Sequence, residues 1–142
     1  MQVEPQLIAN YVAQGKLRLA FHPVLDHGNA SRLANLAAEC AGVQNPLAFW
    51  QMHNLLFARQ SELWGASEGA FGQLATELGL DGAALQSCLG DPAMIDKVTR
   101  LDQTRRDQGL RTRPSFDING QTLQGAAPYA TFAQVLEQLL AQ

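Results

Sequence analysis

Arg113-Pro114-Ser115-Phe116-Asp117-Ile118-Asn119-Gly120 is the stretch from which the fold can be read. Proline has no N–H to give to a sheet ladder, so Pro114 belongs at the first position of a strand or on an edge. An X-Pro bond is also the one linkage at which a cis peptide costs little, although a lone strand-edge proline is ordinarily trans. Asn119-Gly120 suits a type I′ turn, in which both central residues need φ > 0. Gln121 to Gln124 is therefore predicted as the returning strand. Gly125-Ala126-Ala127-Pro128 ends the sheet, and Pro128 suits the first position of a helix. That helix carries Tyr129, Phe132, Val135, Leu136, Leu139 and Leu140 at the spacing of one buried face.

Working outward, Val3, Leu7, Ile8 and Tyr11 share a helical face, with Gly15 as the stop. Lys16 to His22 alternates, with Leu17, Leu19 and Phe21 on one side, and is predicted as a strand ended by Pro23. Asn29 is the expected N-cap of a helix through Leu33, Leu36, Ala37, Cys40 and Ala41, stopped near Gly42. Asn45-Pro46 starts a helix that is apolar over much of its surface. Ser67, Asp81 and Asp91 are the expected caps of three more. The order is helix, strand, a long helical block, hairpin, helix.

The chain of 142 residues is long enough for one domain with a real core. Its 46% hydrophobic and 16% charged residues are those of an ordinary globular protein. A net charge of −3 gives no reason to expect nucleic acid or an anionic membrane surface as partner. No apolar run is long enough to span a bilayer. Met1-Gln2-Val3-Glu4-Pro5 has neither the basic start nor the apolar stretch of a secretory signal.

Taken together, these segments resemble the DsbA-like branch of the thiol:disulfide oxidoreductases. The run from Gly109 to Gly120 is similar to that family's cis-proline loop, with Pro114 in the proline's place. Arg113 stands where the family usually has a small or β-branched residue. Val3 to Ile8 is similar to the end of the family's first helix, and Lys16 to Phe21 to its following strand. Ala37 to Gly42, Phe49 to Phe57 and Leu78 to Leu89 are similar to pieces of its helical insertion. The resemblance implies an α/β chain with a thioredoxin-like fold, incomplete because the first strand is missing, and carrying an inserted helical subdomain. It implies a single domain over residues 1–142, with thioredoxin-like parts at 1–28 and 109–142 and the helical insertion at 29–108.

The family's chemistry needs a Cys-x-x-Cys at the N-terminus of the first helix, where the helix dipole stabilises a thiolate. That thiolate exchanges with substrate disulfides through a mixed disulfide. No Cys-x-x-Cys occurs in this sequence. Against the family pattern, Met1 falls just past the place of the second active-site cysteine. The expectation is therefore a shortened chain with no catalytic residue of its own and no dithiol activity. The alternative is a reduced, non-catalytic peptide-binding module that fills the gap by self-association through exposed sheet edges. Glutathione-dependent isomerase and transferase relatives share the helical insertion and are a further alternative.

By resemblance, Arg113, Pro114 and Ser115 form the substrate-binding loop, and the substrates are unfolded or partly folded exported polypeptides. A membrane redox partner and a periplasmic or cell-envelope location are implied in the same way. No cofactor is implied. Cys40 and Cys88 both fall on apolar helical faces, where buried free cysteines are ordinary. The family carries cysteines at these places, and an even count suits an oxidising compartment, so a structural disulfide between them is the sharper expectation. His22, His27 and His53 lack any metal-ligand frame and are read as structural or surface residues. Arg105, Arg106, Arg111 and Arg113 form a basic run, ordinarily a solvated face. A sharper role would have Arg111 and Arg113 border the substrate groove. Trp50 and Trp64 are expected in the core.

Overall fold

The computed structural model describes residues 3–141. Helix α1 (Val3–Leu7) widens into a single π turn, Ile8–Val12. Helices α2 (Gly28–Gln44), α3 (Pro46–Ala58), α4 (Glu68–Glu77), α5 (Gly82–Leu89) and α6 (Pro92–Asp107) follow. Strands β1 (Ser115–Ile118) and β2 (Gln121–Gln124) make an antiparallel pair, and α7 (Tyr129–Leu140) closes the order. The chain divides into two compact units: residues 22–104, and residues 1–21 with 105–142.

The helical unit is built around α2, which buries Leu33, Leu36, Ala37, Cys40 and Ala41. Met52 and Leu56 of α3, Phe71 and Leu74 of α4, Leu85 and Leu89 of α5, and Val98 of α6 complete that core. Local chemistry sets the helix starts. Asn45 accepts from the Leu47 N–H at 3.0 Å, Asp81 from the Ala84 N–H at 2.9 Å, and Asp91 from the Ala93 N–H at 2.9 Å. Gln44 then pins the end of α2 to Asp81 with two amide bonds, each 2.9 Å. Gly82 is obligatory for close packing of α4 against α5, since a Cβ there would lie 2.5 Å from the Gly72 carbonyl oxygen. A disulfide, Cys40–Cys88, ties α2 to α5 with Cα atoms 5.9 Å apart.

The second unit has its own core of Leu7, Tyr11, Phe132 and Leu136. Phe116 of β1 stands edge-on to Phe132 of α7, with ring centroids 4.6 Å apart. Leu17, Ile118 and Leu123 pack around them. The hairpin forms as its residues dictate: Ile118 pairs with Gln121, and Asn119 and Gly120 have φ of 51° and 87°.

Four expectations about secondary structure need correction. Lys16 to His22 keeps its alternating exposure but is not a strand, because a strand is defined by its ladder and the described residues offer this segment none. Asn29 is not the cap of α2. The helix begins at Gly28 after His27, and Asn29 instead accepts from the Arg32 guanidinium at 2.8 Å. Gly42 does not stop that helix, which runs to Gln44. Pro128 sits one place before the helix, as its N-cap, with an extended ψ of 155°.

Candidate functional site

The loop entering β1 is held at both ends. Helix α6 stops where Gly109 takes a φ of +74°, a left-handed conformation that glycine adopts without strain. Buried Arg105 reaches over this stop and donates to the Leu110 carbonyl at 2.7 Å, while the Leu110 N–H returns to the Arg105 carbonyl at 3.1 Å. At the other end, the Gly125 N–H donates to the Pro114 carbonyl at 2.8 Å and so extends the ladder one pair beyond Ser115 and Gln124. The Ser115 hydroxyl donates to the Thr112 carbonyl at 2.5 Å, folding the loop over the strand start.

These ties leave Arg111, Thr112, Arg113 and Pro114 exposed and Ser115 half-buried. The Arg113–Pro114 peptide is cis. The three residues singled out from sequence are thus consecutive on an exposed, braced loop that carries the positive charges of Arg111 and Arg113. Arg105, from the same basic run, is no solvated charge. It is 6% exposed and serves the loop's backbone. No sequence signal distinguished it from its neighbour Arg106.

The two cysteines are bonded to each other in the helical unit, and Cys40 is only 1% exposed. Neither sulfur is a thiol. His53 is buried among Phe49, Trp50 and Phe57, His27 stands edge-on to Trp64 at 5.2 Å, and His22 is exposed. Trp64, expected in the core, is 56% exposed, because it lies in the loop between α3 and α4 and rests on His27 rather than under a helix. Trp50 is half-buried. No group of three or more acidic, histidine or cysteine side chains that could hold a metal occurs among the described residues.

A tyrosine cluster escaped the sequence reading altogether. The Tyr11 hydroxyl donates to Glu137 at 2.9 Å, and Asn10 donates to the Tyr129 hydroxyl at 2.8 Å. Burial, then the hydrogen bond and charge of Glu137, then Tyr129, push the Tyr11 hydroxyl up to about 12. The partners lie at opposite ends of the chain, and no local pattern announces such a pair.

Comparison with known proteins bears on this geometry. The family model described as Thioredoxin matches residues 1–138. Disulfide bond formation protein D of Bacillus subtilis (strain 168) is 24% identical over 139 residues, covering 96% of this chain and 63% of that protein. The Na(+)/H(+) antiporter NhaA of Herminiimonas arsenicoxydans is 33% identical over 119 residues, covering 84% of this chain and 17% of the antiporter. The chain thus spans less than two thirds of either relative. The crystal structure of oxidised BdbD from Bacillus subtilis superposes with a TM-score of 0.89 at 23% identity, covering 99% of this chain and 78% of that one.

Proposed function

This chain belongs to the thioredoxin family, in its DsbA-like branch, and from that premise we propose that it is part of a protein thiol:disulfide oxidoreductase acting on exported polypeptides. Arg113, Pro114 and Ser115 seat an unfolded or partly folded substrate. The observation that carries this reading is the exposed, doubly braced loop at Pro114, in a chain whose relative is named for disulfide bond formation. The oxidised Cys40–Cys88 pair supports an oxidising compartment, the periplasm or cell envelope.

Disulfide exchange proceeds by attack of a thiolate on a disulfide sulfur, which forms a mixed disulfide and releases the other sulfur as a thiolate. The 142 residues hold no Cys-x-x-Cys, and both of their sulfurs are committed to one bond. This chain by itself therefore seats substrate without exchanging electrons with it. In an insulin-reduction assay with dithiothreitol, we expect precipitation no faster than without protein. Turnover comparable to thioredoxin's, and dependent on Cys40 or Cys88, would overturn the reading.

The exposed loop at Pro114, which needs no sulfur to hold a peptide, favours a second reading, a non-catalytic module that retains the peptide groove. Both readings predict capture of reduced, carboxymethylated α-lactalbumin, weakened by Pro114→Ala. They part on supplying a Cys-x-x-Cys in an N-terminal extension: insulin reduction appears under the first and not under the second.

A further inference from the structure

Charge is unevenly spread along this chain. Its formal net charge is −3, yet the stretch from Arg105 to Phe116 holds four arginines and one carboxylate, Asp107. The fold separates the four. Arg105 is 6% exposed and bonds the Leu110 carbonyl, and Arg106 is half-buried. Arg111 and Arg113 are exposed, on either side of Thr112. Arg111 forms no hydrogen bond or ion pair among the described residues.

The backbone that carries these two charges is fixed. Thr112, between them, donates from its hydroxyl to the Gln124 side chain at 3.3 Å and accepts from Ser115 at its carbonyl. Pro114, next after Arg113, is tied to Gly125. A ligand that meets both arginines therefore orders two side chains but no loop. Residues two apart have Cα atoms no more than about 7 Å from each other. That is also the spacing of alternate residues in an extended peptide. The next carboxylate along the chain, Asp117, is taken up by the Gly120 N–H at 2.6 Å.

We propose that Arg111 and Arg113 make the Pro114 loop selective for acidic polypeptide segments, with carboxylates at alternate positions of an extended stretch. The inference rests on the reading that this loop seats substrate, and adds the class of substrate. A guanidinium is always charged, and its rigid fork of donors takes a carboxylate by two hydrogen bonds. The same charges repel a basic segment, so selection works by rejection as well as attraction. An extended chain meets both arginines at its natural repeat, whereas glutathione holds its two carboxylates at the far ends of a tripeptide. Exposure keeps each pair weak, so the effect is a graded preference that salt diminishes.

The test uses the full chain and three rhodamine-labelled peptides, read by fluorescence anisotropy. They differ only at two alternate central positions, which are aspartate, asparagine or lysine. At low salt the aspartate peptide should bind roughly fivefold tighter than the asparagine peptide, with the lysine peptide weakest; at high salt the differences should shrink below about twofold. Arg111→Ser with Arg113→Ser should bring the aspartate-to-asparagine ratio to about one, and the corresponding lysine pair should keep part of the preference. Circular dichroism checks that both variants fold. If the three peptides bind alike at low salt while Pro114→Ala weakens them all, the selection is overturned and the seating stands. If none saturates by about 1 mM, the seating itself fails and this inference falls with it. The proposal is equally overturned if the double serine variant keeps the preference. Displacement of the aspartate peptide by an equal concentration of glutathione also overturns it, by assigning the arginines to a small dicarboxylate.

Discussion

Replacing both Cys40 and Cys88 with alanine should destabilise the helical unit more than any other small change. The bond closes a loop across a sequence separation of 48 residues. Chain entropy for a loop of that length gives about 4 kcal/mol at 25 °C. Domains of this size are stable by only about 5–15 kcal/mol, so the loss is a large share of the total. The assay is urea unfolding followed by circular dichroism at 222 nm. With a slope of about 2 kcal/mol per molar, the midpoint should fall by about 2 M. Reduction of the unsubstituted protein should produce the same shift, and the double variant should no longer respond to reductant. Hydrogen exchange locates the effect: protection should fall first in α2 and α5, the helices that the bond joins. A midpoint shift below about 0.5 M, or a loss of protection confined to β1, β2 and α7, would refute the reasoning.

The remaining predictions concern packing, the hairpin turn and the tyrosine cluster. Gly82→Ala places a methyl against the Gly72 carbonyl, which is backbone and cannot swing aside; a loss of about 1–3 kcal/mol is expected in the same urea titration. Gly120→Ala introduces a side chain at φ +87° and should cost about 1 kcal/mol or more, read as a lowered melting temperature, while Asn119→Gly should be nearly neutral. Tyr11 is held protonated in the fold, with its hydroxyl raised from 10 to about 12. Its contribution to stability is therefore complete below pH 10 and is lost as pH rises through 12. Ultraviolet titration of tyrosinate should show one of the two tyrosines ionising well above pH 10, and Tyr11→Phe should abolish that step; joint ionisation of both near pH 10 would contradict the burial argument.

What could be read in advance was local. Pro114 and Asn119-Gly120 carry their backbone preferences with them, so the bounds of β1 and β2 and the positive φ values follow from the residues alone. Asn45, Asp81 and Asp91 were legible as caps because a short acceptor side chain serves N–H groups two or three residues on. Cys40 and Cys88 were visible as a candidate pair, with the disulfide the favoured expectation and buried thiols the alternative, and the structure bonds them. Lys16 to His22 shows the limit of periodicity, which assigns faces but does not supply a neighbour to bond. Trp64 shows the limit of composition, since an aromatic ring does not bury itself when its loop places it beside His27 on the surface.

By itself the sequence determined the helices, the hairpin and their order, because propensity, capping and turn chemistry act over a few residues. It also determined that no Cys-x-x-Cys lies within these 142 residues. Only the tertiary structure decided that Cys40 and Cys88 are bonded, that Arg105 is buried under the loop it braces, and that Tyr11 meets Glu137 across 126 positions. It alone brought the Lys16–Arg18 segment and Ile118 to one depression. These are encounters between residues far apart in the chain, and such encounters depend on how helices and the hairpin pack, not on any preference that a residue carries alone.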